Sequence, residues 1–140
     1  MILCAIHLDE ESVFIEQTPT RNHTERLLNL KTEITNEGTK IYVSKNNYPK
    51  PFEITVPSDI SSAAFFIVLA LITRNSELII RNVSLNETRT GVINILQQMG
   101  GKIEIENERE EKGEKVGDIR VYSSHLKNVS FPKTIIPNII

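Results

Sequence analysis

Thr20 and Arg21 stand directly before a short segment with helical character, in the run TRNHTERLL. A hydroxyl and a guanidinium at the start of a helix could bind an anion, because free backbone N–H groups and the helix dipole favour negative charge there. These residues alone leave two interpretations open. One is a phosphate site, and the simpler one is that Thr20 only caps the helix and Arg21 points to solvent. The later run NETRT, residues 86–90, has the same form and leaves the same two alternatives.

Other residues that could take part in catalysis or metal binding are not accompanied in the sequence by the residues that they would need. Asp59, Ser61 and Ser62 could suggest a nucleophile, but no histidine lies nearby and no Gly-x-Ser-x-Gly elbow is present. Small residues that open a buried helix more often permit close packing. The single cysteine and the three widely spaced histidines, His7, His23 and His125, predict no metal site. The glutamate-rich stretch at 106–114 lacks the spacing of a calcium loop and is typical of a solvated hairpin tip.

Composition and charge exclude several classes of protein. A chain of 140 residues with 39% hydrophobic and 24% charged residues is typical of a globular domain. The net charge of −2 provides no large positive field for nucleic acid or for an anionic membrane. Its longest apolar stretch, AAFFIVLALI, is too short to span a bilayer. One cysteine excludes an intramolecular disulfide and favours a reducing compartment, so we expect a cytoplasmic protein.

The elements that must position these groups fall into two similar halves. In the first half the pattern predicts a half-helix at 1–8, a strand at 12–16 ended by Pro19, and a short helix with Leu27, Leu28 and Leu30 facing inward. A hairpin over 33–35 and 40–44, an extended connector over 45–51 and a strand over 53–56 follow.

The second half reads as a complete β-α-β-α-β-β unit, which predicts an α+β fold. Asp59 or Ser58 caps a buried core helix that contains residues 63–72, and a strand follows at 77–83. A second helix carries an apolar stripe that ends at Gly100-Gly101, and strands at 102–106 and 118–123 flank a charged loop. The stripe comprises Val92, Ile95, Leu96 and Met99.

The two halves share residues at equivalent positions. Because Ser12, Ile15, Asn22 and Thr24 recur as Ser76, Ile79, Asn86 and Thr88 at one offset, we predict a repeated unit. The apolar runs MILCAIHL and TIIPNII at the two ends predict that both ends are interior positions of a longer protein.

Four blocks of the sequence resemble the 5-enolpyruvylshikimate-3-phosphate synthase family, the 3-phosphoshikimate 1-carboxyvinyltransferases. They are TPTRNHTERLL, VPSDISSAAFFIVLAL, NVSLNETRTGVINILQQMGGKIEI and NEREEKGEKVGDIRVYSSHLK, and the resemblance extends over residues 2–140. It implies an internal fragment of a two-lobed protein built from six such units. Residues 1–56 would be the last part of one lobe, with an incomplete unit. Residues 57–140 would begin the second lobe, with one complete unit and the start of the next.

The resemblance also implies a function in the shikimate pathway of aromatic amino acid biosynthesis. The family transfers the enolpyruvyl group of phosphoenolpyruvate to the 5-hydroxyl of shikimate 3-phosphate without a metal or organic cofactor, and the parent enzyme is expected to be a monomer. The family's main catalytic residues would lie outside this chain, so we expect no catalytic residue here and no activity from the chain alone. Thr20 and Arg21 match motif positions on the shikimate 3-phosphate side of the cleft, which makes them the candidate substrate-binding residues. Asn22 replaces the family's aspartate and Ser58 its usual glycine.

Two other functions remain open at this point. The related UDP-N-acetylglucosamine enolpyruvyl transferase shares the fold, although the four blocks fit it less well. A non-catalytic or RNA-binding module could be built from similar units, but the net charge of −2 and the absence of a basic aromatic surface in the sequence argue against it.

Overall fold

The computed structural model describes residues 1–18 and 20–131. The chain divides into two compact units, Met1–Ile54 and Thr55–Ile140. This division lies close to the predicted boundary after residue 56, and the assignment of the two segments to two lobes stays a prediction. The predicted end of the first strand at Pro19 and the predicted start of a further unit at the C-terminal end lie outside the described residues.

The first unit is a small antiparallel sheet with short helices. Its three strands have the spatial order β1-β3-β2. A small apolar core comprises Ala5, Ile6, Leu30, Ile41 and Val43, with Phe14 and Leu28 packed against it. The elements are α1 (Ile2–Ala5), β1 (Ser12–Glu16), α2 (His23–Leu27), β2 (Lys31–Thr35) and β3 (Gly38–Val43), followed by a short 3-10 turn at Lys45–Asn47.

The second unit has longer elements and a larger core. Its strands have the order β4-β6-β5, again antiparallel. Ile67 and Leu71 from the first helix and Ile119 and Val121 from the central strand are fully buried in this core. The elements are α3 (Ile60–Ile72), β4 (Glu77–Ser84), α4 (Gly91–Gln98), β5 (Lys102–Glu111) and β6 (Glu114–Tyr122).

The predicted repeat is confirmed by the matching sheet orders. In each unit a helix precedes the first strand, a second helix follows it, and the last strand lies in the middle of the sheet. The equivalent residues Asn22 and Asn86 both begin a helical turn, since each backbone oxygen accepts a hydrogen bond of 3.1 Å from the N–H four residues later. The α+β prediction is therefore correct.

The predicted strand over residues 53–56 is wrong. This stretch is exposed and has no regular secondary structure, and only Ser58 makes a bridge, to Val83 of β4. The bridge consists of hydrogen bonds from Ser58 N–H to Asn82 O (2.7 Å) and from Ser84 N–H to Ser58 O (3.0 Å). The alternation of polar and apolar residues in EITV is typical of a strand. A strand also needs a neighbouring strand to pair with, and none of the described strands runs beside these residues.

The predicted charged loop over 107–117 is mostly strand. The hairpin of β5 and β6 extends until Glu111 pairs with Glu114, leaving only Lys112 and Gly113 as the turn. Both turn residues have positive φ, 51° and 78°, as a type I′ turn requires. The ladder therefore continues through a charged sequence, whose β5 residues 107–110 are exposed to solvent.

Helix α3 is less buried than its composition predicts. Ile60, Ala63, Ile67, Ala70 and Leu71 are buried, whereas Phe65, Phe66, Leu69 and Ile72 on the opposite side are exposed. The sheet covers only one face of this helix, and an apolar sequence all round cannot indicate which face that is. For a similar reason Leu27 is exposed, although Leu30 is buried and Leu28 half-buried as predicted.

Candidate functional site

Thr20 and Arg21 lie side by side between β1 and α2, and both are exposed. The hydroxyl of Thr20 donates a hydrogen bond to Oε1 of Glu16 (2.5 Å), at the end of β1. Thr20 therefore does not cap α2. The residue before the helix is Asn22, whose backbone oxygen accepts from Arg26 N–H (3.1 Å) while its side chain makes no capping bond.

This arrangement can present positive charge and a hydroxyl to an anion. The guanidinium of Arg21 supplies planar, charge-assisted donors, which suit phosphate or carboxylate. The carboxylate of Glu16 holds the Thr20 hydroxyl, so an anion that used this hydroxyl would have to displace Glu16. The site thus contains Thr20 and Arg21, which the sequence indicates. It also contains the competing carboxylate of Glu16, which the sequence does not indicate.

Asp59, Ser61 and Ser62 form a helix cap and not a nucleophilic site. Oδ2 of Asp59 accepts from Ser62 N–H (2.8 Å) and from the Ser62 hydroxyl (3.0 Å), as expected for an N-cap residue. The backbone hydrogen bond from Ser62 is the largest cause that holds the pKa of Asp59 below its ordinary value, and the nearby charge of Arg89 adds to it. A carboxylate held in its ionised form as a cap is a poor general acid.

Arg89 is a buried residue that the sequence left unassigned. Its side chain is only 9% exposed, its Nη2 donates to the hydroxyl of Ser61, and Nη2 lies 3.7 Å from Oδ1 of Asp59. The guanidinium therefore links the turn before α4 to the first turn of α3. Two alternatives were left open for Arg89, an exposed residue at a helix start and an anion-binding residue. The structure shows neither, because the side chain is buried and contacts Ser61 and Asp59.

Asn86 has a structural role in the same turn. It is fully buried, and its Oδ1 accepts from the N–H (2.9 Å) and the hydroxyl (2.8 Å) of Thr88. Its side-chain amide donates to Glu114 of β6 (3.1 Å). The side chains of Asn86, Thr88 and Arg89 in the NETRT run thus make contacts within their own unit.

Within residues 1–18 and 20–131, no three histidine, cysteine, aspartate or glutamate side chains lie together as metal ligands would. In the same part of the chain, no helix has the length and apolarity needed to cross a membrane.

Comparison with known proteins identifies the family. The sequence model of EPSP synthase (3-phosphoshikimate 1-carboxyvinyltransferase) matches residues 1–139. The chain belongs to the EPSP synthase family. A 3-phosphoshikimate 1-carboxyvinyltransferase of Oceanobacillus iheyensis is 43% identical over 100% of this chain and 33% of its own length. Another, from Caldicellulosiruptor saccharolyticus, is 48% identical with the same coverage.

A solved structure shows the same fold. The EPSP synthase from Acinetobacter baumannii superposes with a TM-score of 0.81 at 39% identity, over 98% of this chain and 32% of that one. The chain spans about a third of the length of the curated relatives that it matches. The predicted resemblance to this family is therefore correct, and the coverage agrees with the expectation of a fragment.

Proposed function

We propose that this chain is part of a 3-phosphoshikimate 1-carboxyvinyltransferase, in which Thr20 and Arg21 bind the phosphate of shikimate 3-phosphate. The observation that carries the proposal is the family match over residues 1–139, a range that includes both residues. Their assignment to the shikimate 3-phosphate side rests on the resemblance of the run TRNHTE to the family's motif. Their exposure beside each other ahead of α2 supports it, because a substrate can reach both.

The reaction would transfer the enolpyruvyl group of phosphoenolpyruvate to the 5-hydroxyl of shikimate 3-phosphate, by addition and then elimination of inorganic phosphate. The chain's own contribution would be to bind and orient one substrate. Arg21 would donate to two phosphate oxygens, and Thr20 would turn its hydroxyl from Glu16 to a third. The proposal includes no metal or organic cofactor and no nucleic-acid or membrane partner, and the whole enzyme would be a cytoplasmic monomer.

We further propose that the chain alone does not catalyse the reaction. The carboxyl groups with a shifted pKa among the described residues, Asp59 and Asp118, are both shifted downward by hydrogen bonds, which suits structural acceptors and not a proton donor. Phosphate release from phosphoenolpyruvate plus shikimate 3-phosphate should stay at background with the purified chain. Turnover that persists after removal of host enzymes would contradict this.

The binding proposal can be tested in a chimera, with residues 1–139 in place of the matching third of the Oceanobacillus iheyensis relative. A charge-assisted contact contributes roughly 1.5–3 kcal/mol, so Arg21→Ala should raise the KM for shikimate 3-phosphate by about one to two orders of magnitude. The KM for phosphoenolpyruvate should change much less. Lys31→Ala removes another exposed cation of the same unit and serves as the control.

If Arg21→Ala changes the KM for both substrates equally, or changes neither KM, Arg21 does not bind shikimate 3-phosphate. If the chimera does not fold, nuclear magnetic resonance of the chain itself gives a second measurement. Titration with shikimate 3-phosphate should shift the amide signals of Thr20 and Arg21, and it should shift them less in Arg21→Ala. Changes in amide chemical shift that are confined to other residues would contradict the proposal.

A further inference from the structure

Glu25 of the first unit is the counterpart of Arg89 in the second. Thr24 and Thr88 are equivalent at the offset of the repeat, and Glu25 and Arg89 directly follow them. Each lies in the helical turn that comes after the first strand of its unit. The repeat therefore places an acidic side chain in one unit where the other has a basic one.

The carboxylate of Glu25 has no partner in the described part of the chain. Glu25 lies in the first turn of α2 and is half-buried. Within residues 1–18 and 20–131, no hydrogen bond or ion pair reaches its side chain. Arg89, in contrast, donates to the hydroxyl of Ser61 and lies 3.7 Å from Oδ1 of Asp59, at the start of α3. Because a partly buried charge is costly without partners, Glu25 calls for a contact like the one that Arg89 makes.

The repeat indicates where that contact would lie. At the same offset, α1 (Ile2–Ala5) falls on residues 66–69, so it corresponds to the middle of the longer helix α3. Ser61 lies five residues before Phe66, and its counterpart would accordingly lie four residues ahead of Met1. The chain spans about a third of the length of its curated relatives, so the whole protein has further residues that can supply this position.

The change from arginine to glutamate reverses the polarity of the contact. The first turn of a helix has free backbone N–H groups and the positive end of the helix dipole, and both favour a carboxylate. In the second unit Arg89 lies at such a turn beside the carboxylate of Asp59, which supplies the negative charge. In the first unit Glu25 can itself be the acceptor at the start of the helix.

We propose that in the whole protein Glu25 binds the start of the helix that ends as α1. Its carboxylate accepts hydrogen bonds from donors four to six residues ahead of Met1, the counterparts of residues 59–61. The proposal does not depend on the assignment of Thr20 and Arg21 to the phosphate, because Glu25 contacts protein and not substrate.

Chemical cross-linking in the chimera described above tests this contact directly. There the Oceanobacillus iheyensis relative supplies the residues ahead of Met1. A lysine introduced four residues ahead of Met1 should be joined to Glu25 by a carbodiimide, which activates the carboxylate so that the amine forms an amide bond and a urea leaves. Mass spectrometry of the digested protein locates the bond. Glu25→Gln is the matched control, since a side-chain amide is not activated, and this cross-link should disappear.

A second measurement leaves the start of the helix unchanged. In the chimera, Glu25→Ala should raise the equilibrium constant for unfolding by about tenfold or more, as expected for a hydrogen bond to a charged group. In the 140-residue chain the same substitution should raise it by less than about threefold. Glu37→Ala removes an exposed carboxylate of the same unit and should have only this small effect in both proteins. If the chimera does not fold, the chain extended at its N-terminus by about twelve residues of the relative, roughly three helical turns, takes its place.

Two results would overturn the proposal. One is a folded chimera in which the introduced lysine is joined to other carboxylates, or to none, and not to Glu25. The other is an equal effect of Glu25→Ala in the chimera and in the chain, which would mean that Glu25 acts only within α2.

Discussion

Arg89 donates a hydrogen bond through Nη2 to the hydroxyl of Ser61 and thereby joins the turn before α4 to the first turn of α3. The same guanidinium lies 3.7 Å from Oδ1 of Asp59, the cap of that helix. Its other terminal nitrogen, Nη1, is buried and has no hydrogen-bond partner among the described residues. Because a buried charge is costly without partners, the two groups that Arg89 does reach should be important for the stability of the second unit.

Arg89→Ala should lower the free energy of unfolding by about 2–4 kcal/mol, since it removes a buried side chain and leaves Ser61 without its donor. Ser61→Ala should cost less, and the double variant should cost less than the sum of the two, because the residues share one contact. Urea unfolding measures all three. Lys115→Ala, which breaks a more exposed pair with Glu87 in the same unit, should cost under about 1 kcal/mol. Equal costs for Arg89 and Lys115 would contradict the importance of the buried contact.

The cap at Asp59 should make the stability of the chain sensitive to acid. Its pKa is held below the ordinary value of 3.8, mainly by the hydrogen bond from Ser62 N–H. A carboxyl whose folded-state pKa is depressed stabilises the fold above its unfolded pKa, and this contribution is lost as the pH falls through the folded value. Asp59→Asn keeps a good cap but does not titrate, so the drop in urea midpoint from neutral pH to below pH 3.8 should be smaller than in the wild type. An identical drop in both proteins would show that the carboxylate has no such effect.

Glu16 should oppose anion binding at the proposed site. It accepts the Thr20 hydroxyl and carries the same charge sign as a phosphate. In the chimera described above, Glu16→Gln should lower the KM for shikimate 3-phosphate by about 1.5- to 5-fold, the size expected for an exposed charge interaction. The gain should shrink at high salt, because exposed charges are screened. A raised KM in Glu16→Gln would mean that the bond to Glu16 positions Thr20 for the substrate and does not compete with it.

The two units should differ in protection from hydrogen exchange. The second has the larger core, so amides near Ile67, Leu71 and Ile119 should exchange more slowly than any in β1–β3. Limited proteolysis should cut first in the exposed, irregular stretch over residues 51–56. The hairpin end at Lys112 and Gly113 should resist longer, since only two residues leave the ladder. Equal protection in both units, with no early cut in that stretch, would indicate one cooperative core.

Most of the fold could be predicted from local sequence patterns. The β2–β3 hairpin and the cap at Asp59 each depend on neighbours within a few residues, and both were predicted. Strand β1 was also predicted, from its own residue types and the turn that follows it, although its partner β3 is distant in the sequence. The errors involve partners that are distant in the sequence. Residues 53–56 alternate like a strand but lack a neighbour, and the apolar residues of α3 cannot be divided into buried and exposed ones without knowing where the sheet lies.

The candidate site shows the same limit. The motif places Thr20 and Arg21 together because they are adjacent in the sequence. Glu16 lies four residues earlier, and nothing in its type indicates that its carboxylate would hold the Thr20 hydroxyl. Arg89 and Ser61 lie in different elements, so only the fold brings them together. The one available signal was that small residues such as Ser61 open a buried helix and allow another side chain to approach.

The sheet orders β1-β3-β2 and β4-β6-β5 have a consequence for synthesis on the ribosome. In each unit the strand that every other strand pairs with is the last to be translated. Until β3 emerges, β1 and β2 have no partner in their own sheet, and the same holds for β4 and β5 until β6 follows. The local hairpin can close first, because Thr35 pairs with Gly38 and Glu111 with Glu114, whereas Ser12 waits for Val43 and Glu77 for Tyr122. Each nascent unit should therefore remain unfolded during most of its translation and become ordered only when its final strand leaves the exit tunnel.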